Sequence, residues 1–387
     1  LQLDLPQLRN LWRDAPMEFS DAARSAPMVL DLPMPDGSFK SFEVVNSPIM
    51  EEGLATQYPT IQTFAGRATD GSYVRLDYND SDFTATAITK SGVVIITQFA
   101  DDLSNVYLSY SVKDVYLTDA QHDGHGCEVH STNADNLMAI DHEIGHLVEN
   151  ARVLEAVDLQ TYRMAVATTG NFYNSVGDID SEVLADIVST NNQVNAVYEI
   201  DVAIRFILID NTDELFYDDP NTDPYDNGDL PTMLTQNQIT VDNVIGTENY
   251  DLGHVYGTSS GGLANLESVC EPTTKARAGS SRFGAFSGDN FFLIVCHEIG
   301  HQFGATHIFN NCDGDNETPA TAYEPGAGST IMSYSGASDC SSQWIDPPSD
   351  AYFNGANLDQ MMDYSRNGTG GDCDVAIIVQ NEMPEVT

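Results

Sequence analysis

The stretch from His297 to His307 fills the pattern HExxHxxGxxH at every fixed position. It limits the fold more than any other segment. Three imidazoles at these spacings converge only if the first two ride one face of a helix and the chain then turns back. Residues four apart share a helix face, so His297 and His301 can meet a single ion. Glu298 points about 100° further round, where it can reach a water at the ion's open position without ligating the metal. That makes it the candidate general base. Gly304 can adopt the left-handed conformation that ends a helix and delivers His307 as third ligand. Three protein ligands leave one position free, and zinc bound there would draw the pKa of water towards about 7 and polarise a scissile carbonyl. The apolar run from Phe291 to Val295 predicts that the helix is buried, which fixes its ligands rigidly.

A bare HExxH arises by chance in buried helices, whereas the extended form is far less forgiving. A methionine, Met332, stands in Ser329-Thr330-Ile331-Met332-Ser333-Tyr334, where a Met-turn belongs. Together the two motifs resemble those of the metzincins. From about Thr161 to Cys373 the chain is similar to the reprolysin-like metalloendopeptidases of secreted bacterial type. This resemblance implies an α/β zincin-like catalytic domain, with a mixed, twisted five-stranded sheet above the zinc helix. It also implies a hydrolase with one catalytic Zn2+ held by His297, His301 and His307, a protein or peptide substrate, secretion, and a monomer. Residues Gly253, His254, Val255, Tyr256 and Gly257 resemble the edge strand along which an extended peptide would add as an extra strand; His254 receives no ligand role. Two departures narrow the match. Ile308 stands where reprolysins usually carry Asp after the third histidine. Tyr334, two residues past the methionine, resembles astacins and serralysins, in which that tyrosine can swing onto the zinc or the oxyanion. The alternative for Tyr334 is a core tyrosine beneath the site.

The six cysteines are Cys127, Cys270, Cys296, Cys312, Cys340 and Cys373, and spacing alone assigns no pairs. The resemblance pairs Cys270 with Cys373. Cys312 and Cys340 flank the segment from the third histidine past the Met-turn and are expected to form a second bridge. Both imply an oxidising compartment. Cys296, inside the apolar helix, reads as a small core filler.

With 59 acidic against 15 basic residues the formal net charge is -44, which excludes nucleic acid and anionic membrane surfaces as natural partners. Solubility, or a salty or calcium-containing medium, explains that charge better than a cationic substrate does. No apolar run is long enough to span a bilayer. The sequence opens with Leu1, as expected after removal of a signal peptide or trimming, and its tail after Val375 reads as the start of a linker.

Length suggests two domains. Over the first hundred or so residues, period-two alternation recurs between turn residues, from Ser41 to Val45, Ser72 to Tyr78, Phe83 to Ile88, Val93 to Phe99 and Val106 to Val112. This predicts a mainly antiparallel β prodomain, so residues 1–157 are expected to be a propeptide and 158–387 the catalytic domain. Cys127 lies in a Gly-rich segment, and a thiolate could fill the open zinc position. A cysteine switch follows, with latency relieved by proteolysis between Glu149 and Asp158. Two rivals stand beside it: a structural Cys127, or a separate metal held with His122, His125 and His130. A second HExxH, from His142 to His146, lacks the Gly and third His of the extended pattern; Glu149 would have to supply a third ligand.

Periodicity at three and four predicts an amphipathic helix from Asp178 to about Glu199, then a buried strand from Ala203 to Ile209. The following loop holds Asp213, Asp218, Asp219, Asp223, Asp226 and Asp229, which reads either as solvated acid or as a Ca2+ site, though Pro224 excludes an EF-hand. The segment from Tyr323 to Tyr352 is expected to line the specificity pocket. The other functional class to weigh is a non-enzymatic, acidic surface or binding protein on a zincin scaffold, against which the intact Glu298 argues.

Overall fold

The computed structural model describes residues 2–99, 105–114, 128–130, 158–259, 261–282, 290–312, 316–336, 338–345 and 349–377. The alternating N-terminal stretches form one antiparallel meander of seven strands. They are β1 (Met28–Pro33), β2 (Phe39–Asn46), β3 (Gln62–Arg67), β4 (Tyr73–Tyr78), β5 (Phe83–Thr89), β6 (Gly92–Gln98) and β7 (Tyr107–Ser111). Helix α1 (Leu5–Trp12), capped by the Asp4 carboxylate, sets Trp12 against Phe64, Tyr78 and Phe83 on one face of the sheet. Two short helices, α2 (Asp21–Ser25) and α3 (Glu52–Gln57), lie in the connections.

The second sheet also has seven strands. In chain order these are β8 (Glu128–His130), β9 (Leu159–Thr168), β10 (Ile204–Leu208), β11 (Leu252–Gly257), β12 (Gly262–Asn265), β13 (Ala278–Ser281) and β14 (Val375–Ile377). In space the order is β10-β9-β11-β13-β12-β8, with β14 added antiparallel to β9. Strands β9, β10, β11 and β13 run parallel while β12 is antiparallel to β13, so the sheet is mixed as expected. The five expected strands are present, and β8 and β14 extend them. Five helices accompany this sheet: α4 (Gly170–Val176), α5 (Asp180–Asp201), α6 (Leu230–Val244), α7 (Phe291–Gln302) and α8 (Gly355–Asn367). No helix among the described residues is long and apolar enough to cross a membrane.

Two expectations are corrected here. The segment from Gly253 to Gly257 is not an edge strand: β11 is buried along its length and hydrogen-bonded to β9 on one side and β13 on the other, so no peptide can add to it. The edge position beside the zinc helix falls to β12, the four residues Gly262 to Asn265 against which α7 packs. Its outer side carries β8 in parallel register, Leu263 opposite Glu128 and Asn265 opposite His130. The second correction concerns α5, which is not amphipathic. Asn191, Asn192 and Asn195 are as fully buried as Val188 and Val194: Asn191 donates to the Tyr256 hydroxyl and Asn195 pairs with Phe206 of β10, while Asn192 meets Asp77 and Arg75 of β4, where the N-terminal sheet covers a face that would otherwise meet water.

Candidate metal centre

Every residue of α7 is buried, as its apolar first turns require. The helix ends at Gly304, whose φ of +90° makes the turn anticipated from the motif. His307 follows at once and is brought back over the helix face that carries His297 and His301. The Nε2 atoms of the three imidazoles lie 3.1 Å (His297–His301), 3.2 Å (His301–His307) and 3.3 Å (His297–His307) apart. A tetrahedral zinc with nitrogen ligands at about 2.0–2.1 Å would space them by about 3.3–3.4 Å, so the residues fit that ion.

The opposite ring nitrogens decide what the site attracts. Nδ1 of His297 is 2.7 Å from the Ile331 carbonyl, that of His301 is 2.7 Å from Ala305 O, and that of His307 is 2.6 Å from Asn316 O. A carbonyl only accepts, so each Nδ1 carries the proton and each Nε2 presents a lone pair. Three lone pairs facing one another at such distances repel unless a cation sits among them. Burial favours the neutral rings: it depresses His297 to about 4 and His307 to about 3, and His301 falls well below its usual value. Among the described residues these three form the one group of three or more His, Cys, Asp or Glu side chains able to share an ion. The acidic loop serves other ends. Asp223 accepts from the Gly170 and Tyr225 amides, Asp219 from that of Asn221, and Asp229 caps α6.

Glu298 is fully buried, next to the edge strand. A Cβ at Gly262 would lie 2.3 Å from Glu298 Oε1, so only glycine leaves room for this carboxylate. Nothing in the sequence pattern marked Gly262 as functional beyond its place in a glycine pair. Met332 lies beneath the helix, where a Cβ at Gly300 would come within 2.7 Å of its sulfur. The Ile308 amide donates to the Met332 carbonyl at 3.2 Å, which ties the third-histidine segment to the Met-turn. Tyr334 is buried with its ring edge-on to His307 at 4.8 Å and against Phe309 at 4.5 Å. Its hydroxyl accepts from Asn316 Nδ2 at 3.1 Å. His254 lies outside the trio, with Nε2 2.9 Å from Ser280 Oγ.

A carboxylate missing from the sequence-derived site organises the approach to the Met-turn. Glu324 accepts from the amides of Ser329 (2.8 Å) and Thr330 (3.1 Å), from Thr330 Oγ1 (2.8 Å) and from Asn354 Nδ2 (2.9 Å). Thr330 adjoins Ile331, the acceptor for His297. No motif spacing could have singled Glu324 out.

Disulfides join Cys270 to Cys373 and Cys312 to Cys340, both pairs as expected. Cys296 is free and fully buried, and burial pushes its thiol far above the usual range, as befits an inert filler. Cys127, His122, His125, His142, Glu143, His146 and Glu149 lie outside the described residues.

A comparison with curated protein sequences finds no match. Among solved structures, the crystal structure of metalloproteinase-II from Bacteroides fragilis matches with a TM-score of 0.51. That match covers 92% of this chain and 94% of the other at 10% identity, a likeness of fold alone. The family model for metallo-peptidase family M12B, reprolysin-like, matches residues 159–364, more than half of the 387. With the histidine trio, the Met-turn and this match in agreement, the chain belongs to the reprolysin-like metallopeptidases of family M12B.

Proposed function

We propose that this metallopeptidase is a secreted, zinc-dependent endopeptidase whose N-terminal half, residues 1–157, keeps residues 158–387 latent. The observation that carries the zinc reading is the set of three inward Nε2 lone pairs, each fixed by a carbonyl behind its ring. Zinc, when bound, supplies Lewis acidity to a water and to the scissile carbonyl. The chain's own residues do the rest. Glu298 takes the proton of the attacking water and passes it to the leaving amine. Its burial in a site walled by β12 and the Met-turn keeps bulk solvent from competing for that proton. Tyr334, beside His307, is the candidate donor to the developing oxyanion. Met332 floors the site.

Substrate docks along β12, in place of the β11 position first expected. That edge is already taken by β8, from the N-terminal half, so a substrate strand and residues 128–130 compete for the same backbone groups. This competition supports latency whether or not Cys127 caps the zinc. The two disulfides suit an oxidising, extracellular setting. Ca2+ keeps no argued site.

Zinc content and casein hydrolysis of the intact chain, before and after limited proteolysis, test the reading. One zinc per chain, with activity appearing only after the cut, is the expected result. Glu298→Ala should then lose about 10²–10⁴-fold in rate, while Glu143→Ala stays active. Zinc without activity in either form would favour a binding protein on the same scaffold.

A further inference from the structure

The N-terminal sheet does more than precede the zinc domain: it completes it. At the β10 edge the Leu208 amide donates to Ile49 O at 2.8 Å and its carbonyl accepts from the Glu51 amide at 2.9 Å, a parallel bridge centred on Met50. Asp210, just beyond β10, caps α3 by accepting from the Gly53 and Leu54 amides at 2.6 and 3.1 Å. Ile49, Met50, Leu54, Ile61, Ile95 and Val112 are buried in one cluster with the apolar residues of α5, β10 and α7.

Between the two halves lies a buried charge network. Arg75 of β4, fully enclosed, donates to Glu199 of α5, to Asn192 Oδ1 at 3.1 Å, and to Ser47 Oγ at 2.9 Å. Glu199 also accepts from Arg205 of β10, and Arg205 reaches Glu18 of the N-terminal half at 2.6 Å. Charges of the two halves therefore alternate: Glu18, Arg205, Glu199, Arg75. A buried pair that loses one partner leaves a charge without compensation, so separating the halves is costly at two points together. Separation would also strip the β10 edge and expose the apolar cluster to water, the two features that make a released domain aggregate.

We infer that residues 2–114 remain bound to residues 158–377 as a non-covalent subunit after the chain is cut between them, so that the mature molecule has two pieces. The claim rests on reading the chain as a precursor cut between its halves, and it deepens that reading. Relief of latency then requires only the displacement of residues 128–130 from β12. The bulk of the N-terminal domain stays on the far side of α5 as a permanent partner.

The test uses the full chain carrying a site for a sequence-specific protease within residues 131–157. After complete cutting, size exclusion at physiological salt should return both fragments in a single peak at the mass of the intact chain. They should part only in denaturant. An N-terminal fragment eluting alone would overturn the inference. In the cut double variant Glu18→Ala/Arg75→Ala, with folding of the uncut form checked by circular dichroism, the fragments should dissociate about a hundredfold faster. An unchanged rate would remove the charge network as the cause. If the variant does not fold, the wild-type elution still decides. Co-elution with no peptidase activity, even after a second cut within residues 115–127 has freed residues 128–130 from the N-terminal piece, would sink the proposed function and leave this inference standing; activity with separated fragments would do the reverse.

Discussion

A methyl group placed at residue 262 directly strikes the carboxylate proposed as general base. Its Cβ would lie 2.3 Å from Glu298 Oε1, 2.6 Å from Cγ and 2.7 Å from Cδ, whereas ordinary contact begins at 3.4 Å. The carboxylate must therefore retreat by roughly 1 Å, and in a fully buried pocket it has nowhere to go without turning from the zinc face. A misplacement of about that size costs on the order of 10²-fold in rate. Stability should fall as well: overpacking a filled pocket costs about 1–3 kcal/mol, which the roughly 0.4–1 kcal/mol that alanine gains through the unfolded chain offsets only in part. Gly262→Ala should thus still bind a full equivalent of zinc and melt only modestly below the wild-type temperature, yet lose about a hundredfold in kcat on a peptide substrate after activation. The assay is steady-state kinetics beside zinc analysis and calorimetry. Wild-type kcat in the zinc-loaded variant would show that Glu298 does not act from this position. Loss of zinc along with activity would show that the methyl disturbs the ligands.

Two further outcomes follow from buried carboxylates. Glu324→Ala removes the acceptor of four hydrogen bonds behind the Met-turn, so zinc should be lost to a competing chelator about 10–100-fold more readily, while Glu324→Gln recovers part of the difference. Burial raises the Asp77 carboxyl to about 7 at the junction of the two halves. The folded chain therefore holds this proton more tightly than the unfolded one, so stability falls as pH rises from about 4 to about 7 and stays lower above that range. Asp77→Asn keeps an acceptor for Asn192 and should flatten that decline in denaturant titrations at a series of pH values. An unaltered slope would mean that Asp77 keeps its charge when folded.

What could be read from the sequence was mostly local. The zinc helix, the turn at Gly304 and the return of His307 depend on residues within eleven positions of one another, and strands such as β4, β5 and β6 announce themselves by alternation. Sheet order is not local. β11 reads as the edge from its resemblance to the family's substrate strand, while the edge position falls to β12, whose four residues Gly262-Leu263-Ala264-Asn265 are too few to show a pattern. The same limit hid the surroundings of α5: Asn191, Asn192 and Asn195 mark a solvent face by composition, yet Asn191 bonds to Tyr256 and Asn195 to Phe206 inside the second sheet's core, and Asn192 is covered by the N-terminal sheet. Gly262 and Glu324 act through contacts spanning 36 and 6 residues, Glu298 in the first case and Thr330 in the second, and neither spacing belongs to any helix or turn rule.

The short parallel strand on β12 has a kinetic consequence. Three residues of backbone pairing would hold a free tripeptide feebly, but β8 belongs to the same chain, and an intramolecular competitor acts at an effective concentration that a free peptide has to match. Its occupancy is a property of each molecule and not of the solution. Dilution cannot relieve it, and a free peptide must reach comparable concentration before it wins the edge. A cut on one side of residues 128–130 leaves them tethered through the other. Only detachment from both anchors turns the occupant into an ordinary, weakly bound peptide that washes away.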